Sequence, residues 1–401
     1  MDGPLSGFRI VDLTSMISGP MSTMILADQG AEVIKVEHPE GGDHTRLVSV
    51  RKGGFSSSFL NNNRNKRSVA LNLKEKAGVE ACLKLAARSD VFIQNFRPGV
   101  AERIGLGEAA VRAVCPDIIY VSIAGFGFEG PWANKPVFDP LIQALSGLTT
   151  VQGGADDRQP KLVRTILPDK LTAVQASQAV TAALLARART GQGQTVSLSM
   201  LDTIISFLWG SDMSAHTFVG DEPEQDAPQS WIDLIYTTSD GHISVAAMTN
   251  KSWENLARAL DREQWLDDPR FATATLRDIN KNMRLELTQE ALKDQTTDFW
   301  MERLTEFDVP CARILTRTEM ISHPQVEANG IVIETDHPQS GRLRQARPPA
   351  RFVGYSDFDP SPAQKLGQET RAVLAEAGYS ADEIAELIAS GAARDVQEPK
   401  E

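Results

Sequence analysis

Short apolar runs alternate with longer amphipathic stretches through the first half of the chain, the pattern of strands and helices in a parallel sheet. Phe8-Arg9-Ile10-Val11-Asp12-Leu13 reads as a strand, Met21 to Asp28 after Gly19-Pro20 as a helix stopped by Gly30, and Glu32 to Glu37 as a second strand. Strand, helix and strand in that order make a βαβ unit with a right-handed crossover. The pattern recurs: Ser68 to Leu73 is a strand, Lys76 to Arg88 a helix, and Val91 to Asn95 and Ile118 to Ile123 are strands. This predicts an open α/β sheet, whose ligands gather at the carboxyl ends of the strands.

Phe138 to Gly147 reads as a short helix, Lys170 to Arg189 as a long Ala-rich one, Thr195 to Ser199 as a strand and Leu201 to Phe218 as a helix. Composition then shifts, and the polar, Pro-containing Asp221 to Pro228 reads as a linker. Ile235 to Thr238 and His242 to Ala246 flank Ser239-Asp240-Gly241, a hairpin signal. Helices at Trp253 to Leu260 and Arg284 to Arg303, one near Arg317, and a strand at Gly330 to Glu334 follow. Prolines 348 to 362 mark an extended passage before helices at Gln368 to Ala377 and Ala381 to Ala389 and a polar tail from Val396.

A chain of 401 residues suggests two domains. The net charge of -12 argues against a basic nucleic-acid surface. Cys82, Cys115 and Cys311 have neither zinc nor disulfide spacing, and the six histidines form no ligand pair, so no metal is expected. No apolar run is long enough for a membrane span and no signal-peptide pattern opens the chain, so the expected location is cytoplasmic. Gly-x-Gly-x-x-Gly, Walker and Gly-x-Ser-x-Gly motifs are lacking, which leaves NAD, ATP and serine-hydrolase readings unsupported.

The strand ends carry basic and amide residues instead. Arg64-Asn65-Lys66-Arg67 precedes the third strand, Lys74 follows it, Asn95-Phe96-Arg97 follows the fourth, and Arg103 comes soon after. Such a grouping suits phosphates, with Phe96 free to pack on an apolar ligand body; solvated loop charges are the alternative. Before the Ala-rich helix stands Thr165-Ile166-Leu167-Pro168-Asp169. Asp169 reads equally as a cap for the amides of the next turn and as a carboxylate kept ionised by the helix dipole to act as nucleophile.

Short stretches along nearly the whole chain resemble those of the family III (CaiB/BaiF-type) CoA-transferases. They are Leu5-Ser6-Gly7 through Gly19-Pro20, Asp28 to Glu37, Asn65-Lys66-Arg67-Ser68, Asn95 to Gly99, Gly125-Phe126-Gly127, Gly130-Pro131 and Thr190 to Gln194. The resemblance implies a Rossmann-like parallel-sheet large domain (1–219, completed by 330–401), a smaller α+β domain (220–329) and an interlocked homodimer. It also implies CoA transfer between carboxylic acids, with coenzyme A and acyl-CoA as substrates and no tightly bound cofactor. Asp169 matches the family's nucleophile, which passes through an acyl-aspartyl anhydride and an aspartyl-CoA thioester. His38, Leu71, Lys74, Asn95, Phe96, Arg97 and Arg103 match positions that meet CoA, with Lys135 near the nucleotide or pantetheine, and His38 stands where relatives commonly have Arg.

Departures narrow the reading, with Ile17, Phe138 and Asp139 as substrate-side positions. Phe138 stands where racemases of this fold have a proton-transfer His. Ile17 replaces an amide side chain of the oxalate-specific formyl-CoA transferases, and Ala246 to Lys251 lacks their run of glycines. An acyl-CoA isomerase with Asp169 as proton carrier, and a non-catalytic CoA-binding protein with Asp169 as a cap, are the alternatives.

Overall fold

Arg9–Asp12 (β1) leads through Ser18–Asp28 (α1) to Glu32–Glu37 (β2), and Lys66–Leu71 (β3) lies beyond β2. Lys76–Ala86 (α2) then returns the chain to the far side of β1, where Val91–Gln94 (β4), Ile119–Ala124 (β5) and Thr195–Ser199 (β6) extend the sheet. These six strands are parallel, and Ala393–Arg394 (β7) closes the β3 edge in antiparallel sense. The order β7-β3-β2-β1-β4-β5-β6 reverses between β1 and β4, which opens a crevice at their carboxyl ends. The structure, a computed structural model, describes residues 3–154, 158–220 and 232–396. Trp231, the linker expected at Asp221–Pro228 and the tail beyond Val396 lie outside the described residues.

Both faces of the sheet are covered, so successive strand residues are apolar. Val11, Ile34, Val69, Phe92 and Tyr120 join one buried cluster with α2 and the C-terminal helices. Ile10, Val33, Val91, Ile93 and Val121 join another with Ala176, Val180, Ala183 and Leu184. Those last residues share one face of Leu167–Thr190, the long helix that follows the short Asp139–Leu145; these two helices are α4 and α3.

The chain divides into two compact units. One takes in the described parts of Met1–Leu148, Leu162–Leu208 and Gly330–Glu401, and the other those of Thr149–Lys161 and Trp209–Asn329. In the second, Ile235–Thr237, His242–Val245 and Cys311–Arg313 form an antiparallel sheet. It packs with Trp253, Trp265, Phe271 and Trp300 in one buried cluster.

Several elements differ from the sequence reading. The third strand begins at Lys66 rather than Ser68, because Lys66 and Arg67 have carboxylate partners within the fold. The helix expected at Arg284–Arg303 is two, Lys281–Leu292 and Thr297–Glu306, since Thr296 caps the second with its hydroxyl. The helix expected to reach Phe218 stops at Leu208 and is followed by a 3-10 turn at Ser214–Thr217. Among the described residues no helix is long and apolar enough to cross a membrane.

Candidate active site

Asp169 sits in the first turn of α4, not at its cap: the cap position is Ile166, which makes no side-chain capping bond. Ser18, at the start of α1, lies near enough to the Asp169 carboxylate to favour the ionised form. The Asp169 amide donates to Asp139 Oδ2 at 3.2 Å. Asp139 starts α3 and is buried; Gln143 Nε2, one turn on, donates to its Oδ1 at 2.6 Å. Gln143 Oε1 accepts from the Val163 amide at 2.9 Å and so ties down the segment that feeds α4. Burial, then the Asp139 charge, raises the Asp169 carboxyl to about 6, with Ser18 opposing the rise. Burial raises the Asp139 carboxyl as well.

The loop carrying Ser18 is held from below by buried charge. Lys35 Nζ donates to Thr14 O at 2.9 Å and to Asp43 Oδ2 at 3.0 Å, while Asp43 Oδ1 accepts the Met16 amide at 3.2 Å. Lys66 Nζ donates to Pro20 O at 2.8 Å and to Asp12 Oδ2 at 3.1 Å. Met16 takes the left-handed φ of 71°, which turns the chain sharply before α1. A Cβ on Gly19 would stand 2.2 Å from Thr14 Cβ, so only glycine lets α1 begin this close to the loop. Burial works against the ionised Asp12, yet Lys66, Lys35 and the Thr14 and Thr23 hydroxyls outweigh it and hold its carboxyl at about 2.

A cavity of about 290 Å³ opens at the carboxyl ends of β1 to β4. Leu13, Thr14 and Ser15 line it, so one loop serves both the cavity and Asp169. Of the expected CoA positions, His38, Leu71, Lys74 and Phe96 also line it. Asn95 does not; its side chain accepts from the Ser15 amide at 3.0 Å and donates to Ser15 O at 2.9 Å, bridging the crevice loops. Arg97 and Arg103 are exposed at the short helix Val100–Arg103 and are not among the cavity's lining residues. Sequence reasoning missed Val36, Gly42, Asp43, Val100 and Ile104, apolar or turn residues with no motif. A larger cavity of about 450 Å³ lies against Gly3, Gly30 and the 347–358 segment, and it contains none of the expected residues.

The other expected positions lie in the same unit as Asp169. Ile17 precedes Ser18 and is half-buried. Phe138 is 65% exposed and Asp139 holds the Asp169 amide, so Asp139 reaches the nucleophile's own backbone. Lys135 Nζ lies 3.5 Å over the Trp132 ring. Gly125, in the glycine-rich turn, is needed for close packing: a Cβ there would be 2.2 Å from Val137 Cγ1. The Arg64–Arg67 grouping is not a phosphate site. Arg64 pairs with Asp28, Lys66 with Asp12, and Arg67 with Glu32 and Glu376, at or near the amino end of β3. The Ala246–Lys251 stretch leads into the helix Asn250–Ala259, which Thr249 caps. No group of three or more metal-ligating side chains occurs among the described residues.

A carboxylate close to the crevice loop and, among the described residues, in no ion pair can attack a carbonyl and leave again. Comparison with known proteins agrees in kind. A model of CoA-transferase family III matches residues 5–370. Succinyl-CoA:glutarate CoA-transferase of Homo sapiens is 32% identical over 394 residues, 97% of this chain and 89% of that protein. Formyl-CoA:oxalate CoA-transferase of Escherichia coli O6:H1 is 30% identical over 417 residues, 96% of this chain and 99% of that one. The crystal structure of Rv3272 from Mycobacterium tuberculosis superposes with a TM-score of 0.81 at 28% identity, covering 92% of this chain and 99% of that one.

Proposed function

Because this chain belongs to CoA-transferase family III, we propose that it moves CoA from an acyl-CoA donor to a carboxylic acid, with Asp169 as the nucleophile. It is an enzyme of the transferase class. One Asp169 oxygen attacks the thioester carbonyl carbon; the new C–O bond replaces C–S, and CoA leaves as thiolate. The thiolate attacks Asp169 Cγ and expels the donor carboxylate, leaving an aspartyl-CoA thioester. An acceptor carboxylate attacks the same carbon and expels CoA thiolate as the C–S bond breaks, giving a second anhydride; thiolate attack on its acyl carbon releases new acyl-CoA and restores Asp169. Protons balance throughout, so no general acid is needed.

The observation that carries this reading is that Asp169 stands in the first turn of α4 without capping it, its amide held by the buried Asp139 carboxylate. A carboxyl at about 6 is mostly ionised at neutral pH yet more nucleophilic than an ordinary Asp. The cavity lined by His38, Leu71, Lys74 and Phe96 seats the CoA moiety, with Arg97, Arg103 and Lys135 reaching its phosphates from the rim. Ile17 and the glycine-free Ala246–Lys251 stretch argue against oxalate as acceptor. Exposed Leu141, Leu145, Val174 and Leu185 support burial of these helices in an interlocked homodimer.

Intact mass after incubation with a panel of acyl-CoAs tests the mechanism. An acyl- or CoA-sized adduct on the wild type and none on Asp169→Ala is the expected result. CoA binding without any adduct, together with solvent deuterium at the substrate α-carbon, would move the assignment to an isomerase.

A further inference from the structure

Gln143 is a buried polar side chain that none of the chemical steps above uses. It lies one turn along α3 from Asp139, whose Oδ2 accepts the Asp169 amide at 3.2 Å. Both ends of its carboxamide are committed. Nε2 donates to Asp139 Oδ1 at 2.6 Å, and Oε1 accepts from the Val163 amide at 2.9 Å. Nε2 also reaches Thr165 O at 3.4 Å, so Gln143 grips the segment that leads into α4 as both donor and acceptor. A carboxylate in its place could not donate, and an apolar side chain could do neither.

We propose that Gln143 is a positioning residue for the nucleophile, fixing where Asp169 stands through the Asp139 carboxylate on one side and the Val163 amide on the other. The inference rests on the transferase reading above. The bond to Oδ1 orients the Asp139 carboxylate so that Oδ2 faces the Asp169 amide. It also favours the ionised form of Asp139, which burial opposes. An ionised Asp139 is the stronger acceptor for that amide, and its charge adds to burial in holding the Asp169 carboxyl up. Lys170, the next residue on α4, is the cation acting on Asp139, and its Nζ donates to Thr165 Oγ1 at 2.8 Å. The other charged groups on the helices packed around the pair are Asp202 on Met200–Leu208, Asp28 at the far end of α1, where it pairs with Arg64, and Arg187 and Arg189 in the last turn of α4.

Two variants test this in the transfer reaction. Gln143→Met is close in size but makes neither bond. Its kcat is expected to fall by roughly 10- to 100-fold, while KM for acyl-CoA changes by less than about threefold. Its acid limb should also move to lower pH, because Asp139 then protonates more readily and no longer raises Asp169. Gln143→Glu is the rescue. When protonated, its carboxyl donates and accepts as the amide does, so its kcat relative to wild type should rise as pH falls. A merely structural role leaves the acid limb of Gln143→Met in place and makes the Gln143→Glu ratio independent of pH, and either result overturns the proposal. Thermal unfolding checks both variants, and Gln143→Glu decides alone if Gln143→Met does not fold. A wild type that transfers CoA from none of a panel of acyl-CoAs would refute the transferase reading itself; an active wild type with an unshifted limb or a constant ratio refutes only the role of Gln143.

Discussion

Asp12 and Asp169 belong to the same unit and bracket the same loop, yet they have opposite fates. Burial pushes both carboxyls upward. Asp12 answers it with two buried lysines and two hydroxyls and settles at about 2. Asp169 has one serine in its favour and a second carboxylate, Asp139, against it, and settles at about 6. Burial therefore does not decide whether a carboxylate is structural or reactive; the count and sign of its partners does. The first holds the loop, and the second is left under-stabilised, as the proposed nucleophile requires.

Removing each carboxylate should separate these fates most clearly. Asp169→Ala is expected to cut transfer by about 10⁴-fold or more, as loss of a covalent nucleophile does. Its thermal midpoint should hold or rise, because a carboxyl raised to about 6 costs the fold about 3 kcal/mol at neutral pH. A midpoint several degrees lower would mean that Asp169 is a structural residue after all.

Asp12→Ala should do the reverse. It strands Lys66 and Lys35 in the interior with one anion fewer, a change expected to cost about 3–5 kcal/mol in denaturant unfolding. Activity measured on the folded fraction should fall less than for Asp169→Ala. Equal stability of Asp12→Ala and wild type would remove the argument that this network anchors the loop.

The two groups also predict opposite slopes of stability with pH. Asp169, with its folded value above the ordinary one, binds more protons folded than unfolded between about 4 and 6, so its contribution falls as pH rises through that window. Asp12, depressed to about 2, contributes stability above about 4 that is lost as pH falls toward 2. In activity, only Asp169 titrates within a useful range: kcat/KM should drop about tenfold per pH unit below about 6. A flat profile from pH 7 down to pH 5 would contradict the environment described for Asp169.

The strands and the helix that carries Asp169 were legible because their signals are local: apolar runs bounded by turns, and a Pro-Asp pair before an Ala-rich helix. The site's construction was not. Ser18 in Ser-Gly-Pro reads as a turn residue, although it is buried and opens α1. No motif marks Lys35 and Asp12 as ion-pair partners, and they are buried and satisfied only by residues from other strands and loops. Arg64 to Arg67 misled for the same reason. Their carboxylate partners are Asp28, Asp12, Glu32 and Glu376, and no spacing in the sequence joins them. The position of Lys74, in contrast, followed directly from its place after a strand, and it does line the cavity.

Lys74 supplies the mildest test, at the exposed end of the same comparison. It lines the cavity, exposed and paired with no carboxylate among the described residues, so its charge is screened by water and salt. Lys74→Ala should raise KM for acyl-CoA by about three- to tenfold, in line with about 1 kcal/mol for one exposed charge on a phosphate, and leave kcat unchanged. The difference from wild type should shrink as ionic strength rises, because the contact acts through a long, solvated side chain. Asp169 loses its role in the chemistry at any salt concentration. A Lys74→Ala variant that lost kcat instead would place this residue with the reacting atoms and redraw the boundary between the cavity proposed to hold CoA and the carboxylate proposed to accept it.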